Sequence, residues 1–408
     1  TADLAAVALA CSITAPVMVA IGTVVTMVGP MLSGLRGGGQ ENRAGLLLNN
    51  AKTLGFMLMA AQLLCLYVST FVLRWVASTP HVAQMAVEYL YYIMLCVPAS
   101  VGMRVLQSNF EGFGQTRPSL LVSTIGLIVN IPLDFMLVLG WGPFPAMGGP
   151  GCGLATALVH WMMFGMMLVL SFGSHRHRPH MFEMLRWRRP NFLCGRIFKL
   201  GLPIGVATLC EMSFFSVVIL VIAPLGDLMV SAQQIAINIS GVIFMLPLSL
   251  GMAASIRAAY HVGAQDKPAF DALVRTAYIT TYAFVLVLMV STILLREQIV
   301  RCYTGDPVVL STASVLLIYC AIYQISDGTQ CLTSALLRGC HDTAVITWIN
   351  LGSYWLLGFP LACILIRTDW IVPAMGPAGA WVSFIISLTF TAVCLVLRFR
   401  RTRVAVFK

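Results

Sequence analysis

The sequence predicts a polytopic α-helical membrane protein, and its composition and its apolar runs support that class. Of its 408 residues, 59% are hydrophobic and only 10% are charged, with a mean hydropathy of +0.89. Soluble domains carry about 25% charged residues, so a soluble protein is excluded. Apolar runs of about 20 residues recur, each long enough to cross a bilayer core of about 30 Å as a helix. The period-two alternation of a membrane β-barrel is absent.

Eleven apolar runs are predicted to be membrane-spanning helices. They lie near residues 4–32, 46–73, 83–110, 118–140, 149–172, 198–224, 229–256, 273–295, 308–336, 343–366 and 376–397. The chain begins with Thr1, and no cleavable signal pattern precedes the first run.

The basic residues predict how these helices are oriented. The net charge is +10, and two basic clusters carry much of it: a loop with Arg176, Arg178, Arg186, Arg188, Arg189, Arg196 and Lys199, and a tail with Arg398, Arg400, Arg401, Arg403 and Lys408. If both clusters are cytoplasmic and the loops alternate, the outside keeps only Arg74, Arg296, Arg301 and Arg367 of the 25 Lys and Arg residues. By the positive-inside rule, the linker loop and the C-terminus are cytoplasmic. The basic charge therefore reflects topology, and we expect no nucleic-acid partner.

Neither the cysteines nor the histidines indicate a metal or redox site. Most of the 12 cysteines lie within apolar runs and no CxxC motif occurs, which favours small buried side chains over disulfides or zinc. His175, His177 and His180 belong to the basic segment HRHRPH, where a solvated loop is a simpler interpretation than metal binding. We expect no cofactor.

Similar segments recur at a nearly constant offset, which indicates two homologous halves. PAMGGPGCGLA at 145–155 resembles PAMGPAGAWVS at 373–383, and FEGFGQT at 110–116 parallels LRGCHDT at 337–343. Transporters built from such repeats pack two bundles with a substrate site between them. With six helices in each half, the halves share one orientation and form a parallel repeat.

The repeat also predicts one helix more than the sequence contains. The repeat partner of the helix near 198–224 would lie before residue 1. We therefore expect a twelve-helix architecture of two six-helix bundles, with the first helix absent from this chain. The predicted N-terminal lobe, residues 1–185, holds helices two to six and the basic linker. The C-terminal lobe, residues 186–408, holds helices seven to twelve and the basic tail.

Glu211 is predicted to lie deep in the membrane. It stands in the apolar segment VATLCEMSFFSVV (206–218), 12 residues beyond Lys199, which marks the cytoplasmic end of the helix. That spacing corresponds to about 18 Å along an α-helix. No Lys or Arg occurs between Lys199 and Arg257, so no charge nearby in sequence neutralises the carboxylate.

Asp327 is the second deep acidic residue. Arg338 lies 11 residues away, which is about 16 Å along the helix. Tyr323 and Gln330 share the helix face of Asp327, at four residues before and three after. The repeat maps Asp327 onto Ser100, so this carboxylate is not an element common to both halves.

Two interpretations of these acids stay open from the residues alone. An ionised carboxylate at that depth costs several kcal/mol unless it is protonated, paired or facing a water-filled cavity. Such acids can form a cation or proton site, since burial favours the neutral form and a cation favours the ionised form. Alternatively, a buried ion pair or a protonated carboxyl group holds helices together.

Asn130 and Asp134 form a second candidate site in the segment LIVNIPLDFML. They are four residues apart and flank Pro132, whose missing N–H frees the carbonyl oxygen of Ile128. Oxygen ligands of this kind suit Na⁺ or a similar cation. The alternative is that Asp134 lies near the outer end of its span and is hydrated.

Several side chains could line a substrate cavity, although core packing or lipid contact explains any one of them as well. Methionine, for example, is an adaptable filler both in cores and in promiscuous binding sites. The candidates are Met212, Phe214, Phe215, Gln234, Asn238, Met245 and Gln330.

A set of these segments, in this order, resembles the multidrug and toxic compound extrusion (MATE) family in its bacterial NorM-type branch. The segments are GGPGCGLATA, LCEMSFFSVVILVIAPLG, AQQIAINISGVIFMLPLSLGMAASIR, AIYQISDGTQ and ALLRG. The resemblance implies two six-helix lobes, a V-shaped cavity and alternating access. It also implies export of cationic amphiphilic drugs in exchange for Na⁺ or H⁺.

The resemblance also implies roles for particular residues. The coupling-cation site of the second lobe falls on Glu211, Tyr323 and Asp327, and a first-lobe site of some relatives falls on Asn130, Asp134 and Thr156. Na⁺ or another monovalent cation is the ligand implied at Glu211 and Asp327 or at Asn130 and Asp134. The family's first-helix aspartate has no counterpart, because that helix precedes residue 1, and the choice of coupling ion stays open.

The predicted function is a cation-coupled antiporter, not an enzyme, that exports organic compounds across the bacterial inner membrane. We expect a small cationic amphiphilic substrate, Na⁺ or H⁺ as coupling ion, and a monomer in the bilayer. The alternative is a flippase for a lipid-linked precursor or glycan, which favours several buried arginines facing a pyrophosphate; Arg104 is the only weak candidate. No HExxH, GxSxG or Walker-type loop supports an enzyme or ATP-driven transport.

Overall fold

The computed structural model of the chain consists of long α-helices and, in the residues it describes, has no β-strand. The described residues are 2–76, 79–140, 146–186, 191–370 and 373–407, which exclude the predicted basic residues Arg188, Arg189 and Lys408. The helices are α1 (Ala2–Val25), α2 (Val28–Gly37), α3 (Ala44–Val76), α4 (Pro80–Gly112), α5 (Arg117–Leu139), α6 (Gly149–Gly173), α7 (Arg178–Leu185), α8 (Phe192–Ile222), α9 (Asp227–Ala264), α10 (Lys267–Arg301), α11 (Pro307–Gly339), α12 (Ala344–Leu351), α13 (Phe359–Arg367) and α14 (Pro377–Val406). A π-helical segment, Gly352–Gly358, joins α12 to α13.

Eleven helical segments in the described part of the chain are long and apolar enough to span a membrane. The first, Ala6–Gly37, combines α1 and α2, and the tenth, Ala344–Arg367, combines α12, the π-helical segment and α13. Among the α-helices of the described residues, the short helix α7 is the one that belongs to no span. The predicted all-helical membrane protein with eleven spans is confirmed.

The chain divides into two compact units, Thr1–Gly205 and Val206–Lys408. The division falls inside α8, because the first part of that helix packs closely on α1. A Cβ atom placed on Gly205 would lie 2.6 Å from the carbonyl oxygen of Ala20, so the approach requires glycine. The predicted lobe boundary after residue 185 coincides with the end of α7 and lies before this division.

In the first unit, α4 is the central helix and packs along α1, α3 and α6. One hydrophobic cluster surrounds Leu66 and Tyr89, and another surrounds Leu48 and Phe110 near the other end of α4. These two clusters hold the ends of α4 in fixed positions against its neighbours.

The basic linker is anchored to the first unit by α7. Met181 and Met184 are buried in the hydrophobic core. The side-chain Nδ2 of Asn49 on α3 donates to the carbonyl oxygens of Glu183, Met184 and Arg186 at 3.1, 3.0 and 2.6 Å. These bonds satisfy carbonyl groups that the end of a helix leaves without partners.

His177 lies directly before α7 and is fully buried. Its ring packs on Phe110 with a centroid distance of 4.5 Å, and its Nε2 donates to Oε1 of Gln115 at 3.0 Å. Its Nδ1 has no hydrogen-bond partner in the described part of the chain. Burial, together with the nearby His180 and Arg176, lowers the pKa of His177 to about 4. The linker therefore docks with a neutral imidazole.

In the second unit, α11 is the central helix and packs against α9, α10 and α14. Small residues allow the closest approach to α9. A Cβ atom on Gly339 would lie 2.6 Å from the carbonyl oxygen of Ser255, and one on Gly251 would lie 3.1 Å from Cβ of Ala335. Because small residues let membrane helices pack backbone to backbone, polar side chains on α11 are enclosed by neighbouring helices.

Lowering the pH is expected to loosen the docked linker. An undocked His177 has an ordinary pKa near 6.5 and binds a proton more readily than the docked residue, whose pKa is about 4. Docking of the linker is therefore most favourable above about pH 6.5, and the docking free energy becomes less favourable as the pH falls towards about 4. Hydrogen exchange of the backbone amides of residues 178–185 measures the effect. His177→Gln should remove most of the pH dependence and His180→Gln should retain it; equal pH dependence in wild type and His177→Gln would contradict this account.

Candidate functional site

The two deep acidic side chains of the second unit lie in the same enclosed region. Asp327 on α11 is 4% exposed, and Glu211 on α8 is half-buried. Their carboxyl groups are close enough to interact electrostatically. Two like charges repel strongly where water is excluded, so both can be ionised only when a positive charge compensates them. The charge state of this pair therefore depends on what occupies the space around it.

Tyr323 lies beside the pair, one turn before Asp327 on the same buried face of α11. Its hydroxyl lies near the carboxyl group of Asp327. Its ring lies between Phe215 and Trp381, with centroid distances of 6.5 and 5.6 Å. Trp381 is held by a hydrogen bond from its Nε1 to Oε1 of Gln233 at 3.0 Å. The aromatic neighbours therefore fix the direction of the hydroxyl group.

Sequence reasoning missed Tyr354, which the π-helical segment places next to the pair. Tyr354 is fully buried and lies near both Glu211 and Asp327. Its hydroxyl accepts a hydrogen bond from Nε2 of Gln330 at 2.6 Å, and its ring stacks on Phe214 at 5.4 Å. Such segments occur often at functional sites. The signal in the sequence was a single tyrosine in the apolar run GSYWLLG, which has no diagnostic spacing.

Arg338 is a second residue near Glu211 that the sequence did not predict, because the two residues are far apart in the chain. The sequence shows no basic residue near Glu211, but the fold brings Arg338 of α11 close enough for an electrostatic interaction. Among the described residues, Arg338 forms no ion pair within 4.0 Å, so it lies near the carboxyl group of Glu211 without contacting it.

In the second predicted site, Asp134 of α5 lies beside Cys152 of α6, and Thr156 lies one turn after Cys152 on the same helix. The carboxyl group of Asp134 interacts with the thiol of Cys152, and the hydroxyl of Thr156 donates to the carbonyl oxygen of Cys152 at 2.9 Å. Oδ1 of Asp134 is buried without a hydrogen-bond partner among the described residues. Asn130 is half-buried one turn earlier, and no hydrogen bond within the described residues joins it to Asp134 or Thr156.

Two side chains that the sequence did not single out border this second site. Sγ of Cys11 on α1 lies 3.3 Å from the hydroxyl of Tyr89 on α4. Both residues interact electrostatically with Cys152. Four helices of the first unit therefore meet at this point.

The seven predicted substrate-cavity residues do not share one surface of the second unit. Phe214 and Gln330 are buried in its core, Met212 and Phe215 are half-buried, and Gln234, Asn238 and Met245 lie on the exposed side of α9. Phe214 contributes to an aromatic cluster with Tyr354, and Oδ1 of Asn238 accepts a hydrogen bond from Tyr303 at 2.9 Å. A role in substrate binding stays a prediction for all seven.

Comparison with known proteins decides which family this architecture represents. The MatE family profile matches residues 1–136 and 203–364. The chain belongs to the MatE family. It is 36% identical over 400 residues to the multidrug resistance protein NorM of Photobacterium profundum, an alignment that covers 98% of this chain and 87% of that protein. It is also 36% identical over 404 residues to the multidrug resistance protein MdtK of Pectobacterium atrosepticum, with the same coverage of 98% and 87%.

Solved MATE structures share the fold of this MatE chain. The eukaryotic MATE transporter AtDTX14 aligns with a TM-score of 0.84 and 19% identity, over 99% of this chain and 90% of that chain. A MATE protein crystallised in complex with MaL6 aligns with a TM-score of 0.87 and 16% identity, over 100% and 89%. At these identities the likeness concerns the fold alone, and it confirms the predicted MATE-like architecture.

Tyr354→Phe tests the residue that the sequence did not reveal. The variant keeps the ring that stacks on Phe214 but removes the hydroxyl that bonds to Gln330. We expect the half-saturating concentration of the coupling ion to rise about fivefold, the effect of one lost hydrogen bond. Ion-dependent efflux from proteoliposomes measures it. Tyr319→Phe on α11 is the matched control, and an unchanged ion dependence in Tyr354→Phe would exclude the hydroxyl from the site.

Proposed function

We propose that this MATE protein is an antiporter of the bacterial inner membrane that exports organic compounds in exchange for Na⁺ or H⁺. The observation that carries the proposal is the presence of two acidic side chains within the helices of the second unit: Asp327 is 4% exposed and Glu211 is half-buried, and the buried tyrosines Tyr323 and Tyr354 lie near them. Family membership makes the chain a membrane transporter. The names of the NorM and MdtK relatives support multidrug efflux as its activity.

Coupling follows from the cost of leaving a carboxylate charge uncompensated. A monovalent cation between Glu211 and Asp327 neutralises part of their charge, and a proton on Asp327 has the same effect. Release of that occupant is favourable only where another positive charge replaces it or where water enters. A difference in occupant affinity between the two facing states of the transporter would then drive exchange by alternating access.

The chemical class of the substrate follows from the charges of Glu211 and Asp327. An organic cation with an apolar body can compete for an acidic, aromatic-rich site, because the ring faces and carboxylates both attract positive charge. We therefore propose cationic amphiphilic compounds as the substrates and a single chain as the transporting unit. The positive-inside distribution supports a cytoplasmic linker and C-terminus.

Asp134 is proposed to contribute a second cation site in the first unit. Its buried Oδ1 has no hydrogen-bond partner in the described residues, so it is available to a cation. Asn130 lies one turn before Asp134 on α5 and Thr156 lies on α6, and we propose that their side chains supply further oxygen atoms.

Asp327→Asn is expected to abolish ion-driven ethidium efflux from proteoliposomes while the protein still folds. The substitution keeps the size of the side chain and one acceptor oxygen, but it replaces the other carboxylate oxygen with an NH₂ donor and removes the negative charge that we propose binds the coupling ion. Asp306→Asn makes the same change at the N-terminus of α11, where Asp306 accepts bonds from the backbone N–H groups of Val308 and Val309. Asparagine also caps helices, so this control should retain activity.

The efflux is measured under an imposed Na⁺ gradient and, separately, under an imposed pH gradient. Efflux driven by Na⁺ alone identifies Na⁺ as the coupling ion, and efflux driven only by the pH gradient identifies H⁺. Full activity of Asp327→Asn under both gradients would contradict the proposal.

A further inference from the structure

The exposed side of helix α7 is apolar, although this helix is firmly docked on the first unit. Met181 and Met184 on its inner side are buried in the hydrophobic core. Phe182 and Leu185, each one residue further along, are 53% and 56% exposed. With Arg178 they occupy positions i, i+4 and i+7, which share one side of a helix and are called here the outer face of α7. Docking therefore holds two bulky apolar side chains away from the core of the unit.

The outer face of α7 lies at the end of a membrane span. The ring of Phe182 packs edge-on against the ring of Phe172, with a centroid distance of 5.9 Å. Phe172 is the penultimate residue of α6, which forms the span Gly149–Gly173. Phe192, the first residue of the next span, is 75% exposed. Since both spans end here, the outer face lies where the hydrocarbon core of a bilayer meets the headgroups.

Exposed basic side chains border this apolar face. The guanidinium Cζ of Arg178 lies 5.7 Å from the centroid of the Phe182 ring, so a positive charge stands directly over an exposed aromatic surface. Further exposed basic residues lie just after the outer face, at Arg186, Arg196 and Lys199. In the part of the chain that the structure describes, none of these four residues forms an ion pair within 4.0 Å. Their positive charge is therefore available to an external anion.

The acidic residues near this face are directed elsewhere. Glu183 is the only acidic residue in the sequence between positions 174 and 199, and its carboxyl group lies against Gly45 of α3. Glu41, which comes before α3, is bound by Arg176 at 3.2 Å. The outer face of α7 therefore combines apolar surface with uncompensated positive charge, and its complement is an anion that has an apolar body.

We propose that α7 and the start of α8 bind an anionic phospholipid of the leaflet at this membrane surface. Arg178 and the neighbouring basic side chains hold the phosphate, and an acyl chain covers Phe182 and Leu185. The positive-inside rule makes this leaflet the cytoplasmic one, whose anionic lipids attract basic clusters next to membrane spans. The depth of the face favours a lipid over a soluble acidic partner. This inference is independent of the coupling ion and of the exported compound.

Hydrogen exchange of the backbone amides of residues 178–185, in the full-length protein reconstituted into vesicles at neutral pH, tests the proposal. These amides should be better protected in phosphatidylcholine vesicles that contain phosphatidylglycerol than in phosphatidylcholine alone. In Arg178→Gln, the phosphatidylglycerol content that gives half of this gain should rise about fivefold, the effect of one basic residue at an anionic surface. Arg178→Lys keeps the charge and should keep the wild-type response. Arg401→Gln, which removes an exposed charge of the C-terminal tail, is the matched control and should also keep it.

Other occupants of the face give different results. Phe182→Ala should weaken the response to phosphatidylglycerol, and an unchanged response would exclude the acyl-chain contact. Glycerol phosphate added to phosphatidylcholine vesicles should give no protection; protection equal to that from phosphatidylglycerol would assign the site to a free phosphate instead. Protection that rises with the protein content of phosphatidylcholine vesicles would assign the face to a second copy of the chain. Equal protection in both kinds of vesicle, or an equal response of wild type and Arg178→Gln, would overturn the proposal.

Discussion

A charge enclosed by packed membrane helices must meet an opposite charge or become neutral, and this constraint organises the second unit. In this unit α9 packs closely on α11 at Gly251 and Gly339. Asp327 is consequently 4% exposed. Because helix packing encloses Asp327, the negative charge of its carboxylate must be offset by a nearby proton or cation.

The two homologous halves use one helical framework with different chemistry. The position of Asp327 is occupied by Ser100 in the first unit, and the position of Tyr354 is occupied by Gly126. The repeat therefore keeps Gly339 of α11 as Gly112 of α4, while these polar side chains differ between the halves. Under the proposed function, an asymmetric site of this kind would let one unit hold a coupling ion without an identical site in the other.

The sequence predicted those features of the site that depend on residues close together in the chain. Hydropathy identified the eleven spans, and helical spacing placed Tyr323, Asp327 and Gln330 on one face of α11, where the structure buries all three. The contributions of Tyr354 and Arg338 could not be predicted in the same way. They depend on the local geometry of the π-helical segment and on contacts between helices that are distant in the chain. For the same reason the sequence did not show that Phe214 stacks on Tyr354.

Calorimetric titration of the purified protein with Na⁺, at several pH values and with the accompanying proton release recorded, tests the central claim most directly. The account predicts saturable binding of one coupling ion at Glu211 and Asp327, either as Na⁺ that displaces at most one proton or as a proton alone. This binding should disappear in the Glu211→Gln, Asp327→Asn double variant and persist in Asp134→Asn. Identical ion binding in the wild type and the double variant would contradict the claim that these enclosed carboxylates form the coupling site.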